Sequence, residues 1–264
     1  MYLFPAFFAS GFPITLQVFI PCVFIKKDDL FHSSKSQIPF ISLPCVPATR
    51  STCSCITDQK PIDKNNPETW KKAAAYAIRS SLKEAKASAA EVKGIGVSGQ
   101  QHGFVPLDKR GEVIRAAKLW CDTTTGAQCD AITKKLGGLK NTIRHVGNAI
   151  LPGFTAPKIA WLKKHEPKNY RNLATVLLPH DYLNHWLTGN AVMEYGDASG
   201  TALMDVAKRR WAAAAINAID PNLANALPPL ISSDQPAGNL SAATAKALGL
   251  STETVVSAGG GDNM

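Results

Sequence analysis

From Asn65 onward, short apolar runs ending in glycine alternate with segments whose apolar residues recur every three or four positions. Strands alternating with helices restrict a chain to an α/β architecture, a sheet covered by helices. The clearest start signal is "NNPETW": Asn66 can cap a helix, Pro67 fits its first position and Glu68 its first turn. Trp70, Ala73, Ala74, Ala77, Ile78, Ser81 and Leu82 then repeat at helical spacing, so a helix is expected to near Ala87. "VKGIGVSG" reads as a buried strand ending in a glycine turn, and "GFVPLDKRGEVI" as a hairpin turning at residues 108–111. The threonines at 123–125 can cap a helix through Leu136 that Gly137 and Gly138 close. Thr155, with Pro157 just inside, opens another helix. "ATVLLP" is a buried strand, "DYLNHWLTG" a short helix, "AKRRWAAAAINAI" and "LSAATAKALGL" further helices, and "TVVSAGGG" the last strand.

The 264 residues, 45% of them hydrophobic, suffice for one large domain or two small ones. The formal charge of +9 admits nucleic acid, a membrane surface or a phosphorylated ligand as partner. Its lysines, however, are scattered through helical patterns (Lys71, Lys72, Lys134, Lys135, Lys163, Lys164), as on a solvated face. No motif interleaves aromatics with basic residues, which argues against nucleic acid. Four of the six cysteines precede residue 56; Cys53 and Cys55 match no zinc pair, and Cys121 and Cys129 read as core thiols of a reduced, cytoplasmic protein.

Residues 1–64 differ from the rest. They carry no charge until Lys26, yet Pro5, Pro13 and Pro21 would break a spanning helix, and the basic region of a signal peptide is missing. Three readings stay open: a membrane or targeting segment, a few unrecognised strands, or sequence foreign to the fold.

Ligands of open α/β sheets collect at the carboxyl ends of strands. Two such ends stand out, "GVSGQQHGF" with Gln101 and His102, and "SAGGGDNM" with Asp262 and Asn263. Together they offer a carboxylate, an imidazole, amides and exposed backbone, a set suited to a polyhydroxylated ligand whose hydroxyl a carboxylate can deprotonate. Neither end is a Walker phosphate loop or a dinucleotide fingerprint. His180 and His185 are five apart, so one helical face would not present both to a metal. Cys121 has no assignable histidine partner as a nucleophile.

In order along the chain, "GVSGQQHGFVPLD", "LWCDTTT", "LPGFTAPKIAWLKKHEP", "LLPHDYLNHWLTG", "DASGTALMDVAKRRW" and "AGGGDNM" resemble the xylulokinases of the FGGY carbohydrate kinases. The resemblance covers residues 65–264. It implies the actin-like, ribonuclease-H-like first lobe of a sugar kinase, incomplete at both ends, with residues 1–64 outside the family pattern. By the same resemblance, Gln101 and His102 contact the ketose, Asp262 is the catalytic base and Asn263 helps position the sugar. ATP and Mg2+ are implied as donor and ion, most of their lobe lying outside this match, and D-xylulose as the sugar. The family's Asp-x-Gly-Thr-Ser turn is absent from residues 1–64. A truncated form with little or no phosphotransfer of its own is therefore expected. The alternatives are a non-catalytic ketose-binding module and a membrane-anchored interaction protein. Oligomeric state is not fixed, and a homo-oligomer stays open.

Overall fold

The computed structural model describes residues 22–27, 40–42 and 65–262. Two strands fall in the N-terminal segment, β1 (Cys22–Lys27) and β2 (Phe40–Ser42). Most of the candidate membrane segment lies outside the described residues. Among the described residues, no helix is long and apolar enough to cross a membrane.

Helix α1 (Pro67–Glu84) starts as its cap dictates, Asn66 Oδ1 accepting the Glu68 N–H at 3.0 Å. It buries Trp70, Ala74, Ile78 and Ser81, one stripe at helical spacing. The large members of such a stripe stabilise the fold by about 1.5–3 kcal/mol each. The helix ends before the expected Ala87 because Lys86 turns left-handed (φ 49°), and the Lys86 and Ala87 N–H groups bond back to Lys83 and Leu82. That is a Schellman closure with lysine in the glycine position.

Next comes β3 (Val92–Gly99), with Val92, Ile95 and Val97 buried, then β4 (Val105–Leu107). The turn at 108–111 forms as expected, the Gly111 N–H bonding to the Asp108 carbonyl. Helix α2 (Gly126–Lys135) follows Thr125, whose hydroxyl does not cap it but donates to the Pro152 carbonyl at 2.6 Å. Helix α3 (Leu139–Val146) is one that sequence reasoning passed over. Then follow α4 (Thr155–His165), α5 (Pro167–Asn172), β5 (Thr175–Leu177) and α6 (Pro179–Thr188). Short pieces come next: β6 (Met193–Glu194), α7 (Tyr195–Ser199), β7 (Met204–Asp205), β8 (Arg210–Trp211), α8 (Ala213–Ile219) and β9 (Leu230–Ile231). The chain closes with β10 (Pro236–Asn239), α9 (Ala242–Leu248), β11 (Val255–Ser257) and β12 (Gly260–Gly261).

Of the expected helix "AKRRWAAAAINAI", only α8 is helical. The residues before it close a hairpin, β7 pairing β8 antiparallel through Met204 and Trp211. Asp205 accepts the Lys208 N–H, Arg209 adopts φ 48°, and the Trp211 indole reaches the Pro228 carbonyl at 2.8 Å. A turn so held keeps residues 205–211 out of the helix, which the alanines start only at Ala213.

The central sheet has the order β10-β11-β3-β1-β2, with β12 also beside β3. β1 runs antiparallel to β3, so the edge of β3 away from β11 is covered. β11 and β12 are parallel to β3, Val256 opposite Ile95 and Gly261 opposite Gly99. The expected single last strand is thus two. Gly259 breaks it, at φ 73° with its backbone against the Val97 carbonyl, where a side chain could not fit. One core packs α1, α6 and α9 on this sheet; a second gathers residues of α2, α4 and α8 with Phe104 and Val176.

Candidate active site

The register of β12 on β3 decides where the site forms. With Gly261 opposite Gly99, the two glycine-rich strand ends leave the sheet side by side, and the Asp262 N–H donates to the Gly99 carbonyl at 2.8 Å. The approach is close because the residues are small. A Cβ on Gly261 would lie 2.5 Å from Gln101 Cγ, one on Gly99 would lie 3.1 Å from the His180 backbone nitrogen, and one on Gly103 would strike Pro179. Gln101, His102 and Asp262 therefore gather in one place. Asn263 lies outside the described residues.

Asp262 is exposed, and the Gln101 backbone amide donates to its carboxylate. Even so, partial burial beside the turn pushes its pKa upward, and the charge of Asp197 adds to the shift. A carboxylate at the mouth of a site with a raised pKa is a better proton acceptor than one at its ordinary value.

His102 is half-buried and left-handed, at φ 62°. Its ring lies tilted on Phe154, 4.5 Å between centroids, and a Cβ on Gly200 would come within 2.5 Å of Nδ1. Burial pushes the imidazole below its usual pKa, against the charges of Asp197 and Asp262. It therefore faces a ligand neutral at pH 7, one nitrogen donating and the other accepting.

Beneath these groups lies a buried ionic cluster. His180 is fully buried with Nε2 2.9 Å from Asp181 Oδ1 and Nδ1 2.8 Å from Asp197 Oδ2. Burial alone would discharge the imidazole; the two carboxylates override it and hold its pKa well above the usual value. The His180 ring lies beside Gly259 and its backbone beside Gly99, and the Asn184 amide donates to the Ala258 carbonyl at 2.7 Å. Helix α6 thus braces both strand ends, while α7 supplies Asp197 and ends at the Gly200 on which His102 rests.

Lys158 on α4 is also fully buried, its Nζ donating to the carbonyls of His102 at 2.7 Å and Gly153 at 2.5 Å. Burial pushes its pKa down to about 7. Lys118, buried as well, binds Asp122 at 2.6 Å and lies 4.0 Å from the Trp161 ring centroid. Partial burial would raise Asp122, but hydrogen bonds from Lys118 and Thr124 outweigh it and hold the carboxyl at about 2. Phe104 bridges Lys118 antiparallel beside the His102 turn, and the chain then turns at Trp120, which is 58% exposed and whose carbonyl abuts Gly153.

Of the sequence-derived candidates, the structure brings together Gln101, His102 and Asp262. Sequence reasoning missed Lys158, His180 and Asp197. A lysine embedded in "TAPKIAW" without a polar neighbour was the available signal. Cys121, read as a core thiol, is exposed because it follows Trp120 in the open turn; Cys129 is buried. Among the described residues, no group of three or more histidines, cysteines or acids gathers as a metal-ligand set. Asp262 offers a single carboxylate at the mouth, which fits an ion delivered on phosphates rather than one held by the chain.

A model of the FGGY family of carbohydrate kinases, N-terminal domain, matches residues 45–264, starting ahead of the Asn65 at which the helical pattern begins. The xylulose kinase of Haemophilus influenzae is 40% identical over 215 residues, 79% of this chain and 44% of its own length. That of Bacillus subtilis is 37% identical over 208 residues, 79% of this chain and 41% of its own. Among solved structures, a xyloylose kinase from Brucella ovis superposes with a TM-score of 0.68 at 33% identity, covering 75% of this chain and 40% of that one. The chain spans less than half the length of these relatives.

Proposed function

The chain belongs to the FGGY family of carbohydrate kinases, with the actin-like fold of their N-terminal domain, and we propose that it carries the sugar site of an ATP-dependent D-xylulose kinase. The observation that carries this reading is the pairing of β12 with the end of β3, which sets Asp262 against the Gly99 carbonyl and beside Gln101 and His102. Its relatives of matching sequence are named xylulose kinases, which supports the choice of ketose.

In this reading Gln101 and the neutral His102 hydrogen-bond the sugar hydroxyls, and Asn263 assists. The exposed Trp120 indole, in the turn whose carbonyl abuts Gly153, offers an apolar wall for the carbon face of the sugar. The Asp262 carboxylate would accept the proton of the terminal hydroxyl as that oxygen bonds to the γ-phosphorus and the bond from phosphorus to the bridging oxygen breaks, releasing ADP. ATP with Mg2+ supplies the phosphoryl group and neutralises its charge. The chain's own contribution is positioning and one proton transfer, the two effects that phosphoryl transfer asks of its protein.

The test is calorimetric titration of the chain with D-xylulose, beside His102→Ala. Binding that weakens about three- to tenfold in the variant supports the reading, a net loss of one neutral hydrogen bond. An unliganded wild type at millimolar sugar, or equal affinity in the variant, contradicts it.

A further inference from the structure

The largest buried polar side chain near the site has no role in the reading above. Lys158 is completely shielded from solvent, a rare state for lysine unless paired with an acid. Asp122, a carboxylate whose charge acts on it, is engaged by Lys118 at 2.6 Å. The hydrogen bonds of the Lys158 amine go to two main-chain carbonyls, His102 at 2.7 Å and Gly153 at 2.5 Å. Thr155 Oγ1 adds a second donor to the His102 carbonyl at 3.3 Å.

Both acceptors lie at strained or crowded points. His102 is a non-glycine residue at φ 62°, a conformation that persists only where the surroundings over-determine it. Gly153 is where the Trp120 carbonyl approaches so closely that a Cβ would lie 2.9 Å from it. One amine therefore ties two segments together, the 99–103 turn and the loop entering α4, the second of which packs against the Trp120 carbonyl. With its pKa pushed down to about 7 by burial, Lys158 is part-neutral at pH 7, and two remaining hydrogens still satisfy both carbonyls. That explains how it can be buried without a carboxylate.

We propose that Lys158 is a positioning residue for the sugar site, fixing the His102 carbonyl so that the turn stays left-handed and presents the imidazole and Gln101 to the ligand. The inference rests on the reading of residues 99–103 as the sugar site. Lys158 touches no ligand in this account; it acts through His102.

The experiment compares wild type with Lys158→Met, similar in length but without a donor, and with Thr155→Val, which removes only the weaker donor. Two quantities are read: the Kd for D-xylulose by calorimetry, and the three-bond HN–Hα coupling of His102 by NMR, which reports its φ. In Lys158→Met the expected results are a Kd raised about tenfold or more and a changed His102 coupling, with the remaining amide spectrum preserved. Thr155→Val should shift both in the same direction by less, about two- to threefold in Kd, and keeps the inference testable if Lys158→Met fails to fold. A Kd within twofold of wild type and an unaltered coupling in the variants overturn the inference. If wild type itself binds no D-xylulose, the sugar reading fails, and the His102 coupling alone decides the clamp: a change supports it and no change overturns it.

Discussion

At the scale of single residues, Asp262 and His102 illustrate opposite uses of burial. Burial raises the carboxyl and lowers the imidazole, so one becomes a better base and the other a neutral hydrogen-bonding partner. For Asp262→Asn, D-xylulose affinity measured by calorimetry should stay within about threefold of wild type, because the proposed role of this carboxylate is proton transfer rather than sugar binding. The same shift has a sign for stability: a carboxyl raised on folding weakens the folded state once ionised, so Asp262→Asn should leave the thermal midpoint at pH 7 unchanged or higher. Gln101, His102 and Asp262 were legible in the sequence because glycines on a strand end mark a turn that approaches a ligand. Lys158 was not, since a lysine defaults to the surface, and only the packing of α4 under the 99–103 turn reveals the carbonyls it serves.

At the scale of elements, α6 and α7 act as a brace. The single positive charge of His180 offsets part of the charge of Asp181 and Asp197 inside the fold, so His180→Leu should destabilise by about 3–5 kcal/mol in urea denaturation, the cost of leaving buried carboxylates uncompensated. The pH dependence follows from its raised pKa. The histidine's stabilisation is complete below its ordinary value of 6.5 and is lost as pH rises through the higher folded value. Wild type should therefore lose stability across the alkaline range and the variant should not. Gly200→Ala tests the other end of the brace. Gly200 has φ −76°, which alanine adopts freely, but the added methyl meets the His102 ring. Sugar affinity should fall about tenfold with the folding midpoint nearly kept, as calorimetry and thermal melts would show, because one hydrogen-bonding ring is displaced. The start of α1 and the span of β3 were readable from Asn66, Pro67 and the apolar run. Helix α3 was not, because "LKNTIRHV" is only eight residues long and follows the Gly137-Gly138 pair that reads as a helix stop, although Leu139, Ile143 and Val146 recur at helical spacing. The β7–β8 hairpin was hidden by the helix-favouring alanines that follow Trp211.

At the scale of the whole molecule, the sheet places function at its margin. The core on the sheet, through Val92, Ile95, Val97 and Val256, holds β3 and β11 so that the glycine-rich ends beyond them emerge together, and a one-residue slip of β12 would turn its side chains to the other face and misplace Asp262. The α/β class was legible from alternation alone. The pairing of β12 with β3 was not, since some 160 residues separate them and no local pattern encodes register across such a gap. The most direct measurement is an NMR titration of the isotope-labelled chain with D-xylulose. The account predicts saturable shifts concentrated at the amides of residues 99–103 and 259–262. Shifts confined to another surface, such as the exposed Leu139 and Ile143 of α3, or no saturable shift at millimolar sugar, would contradict it.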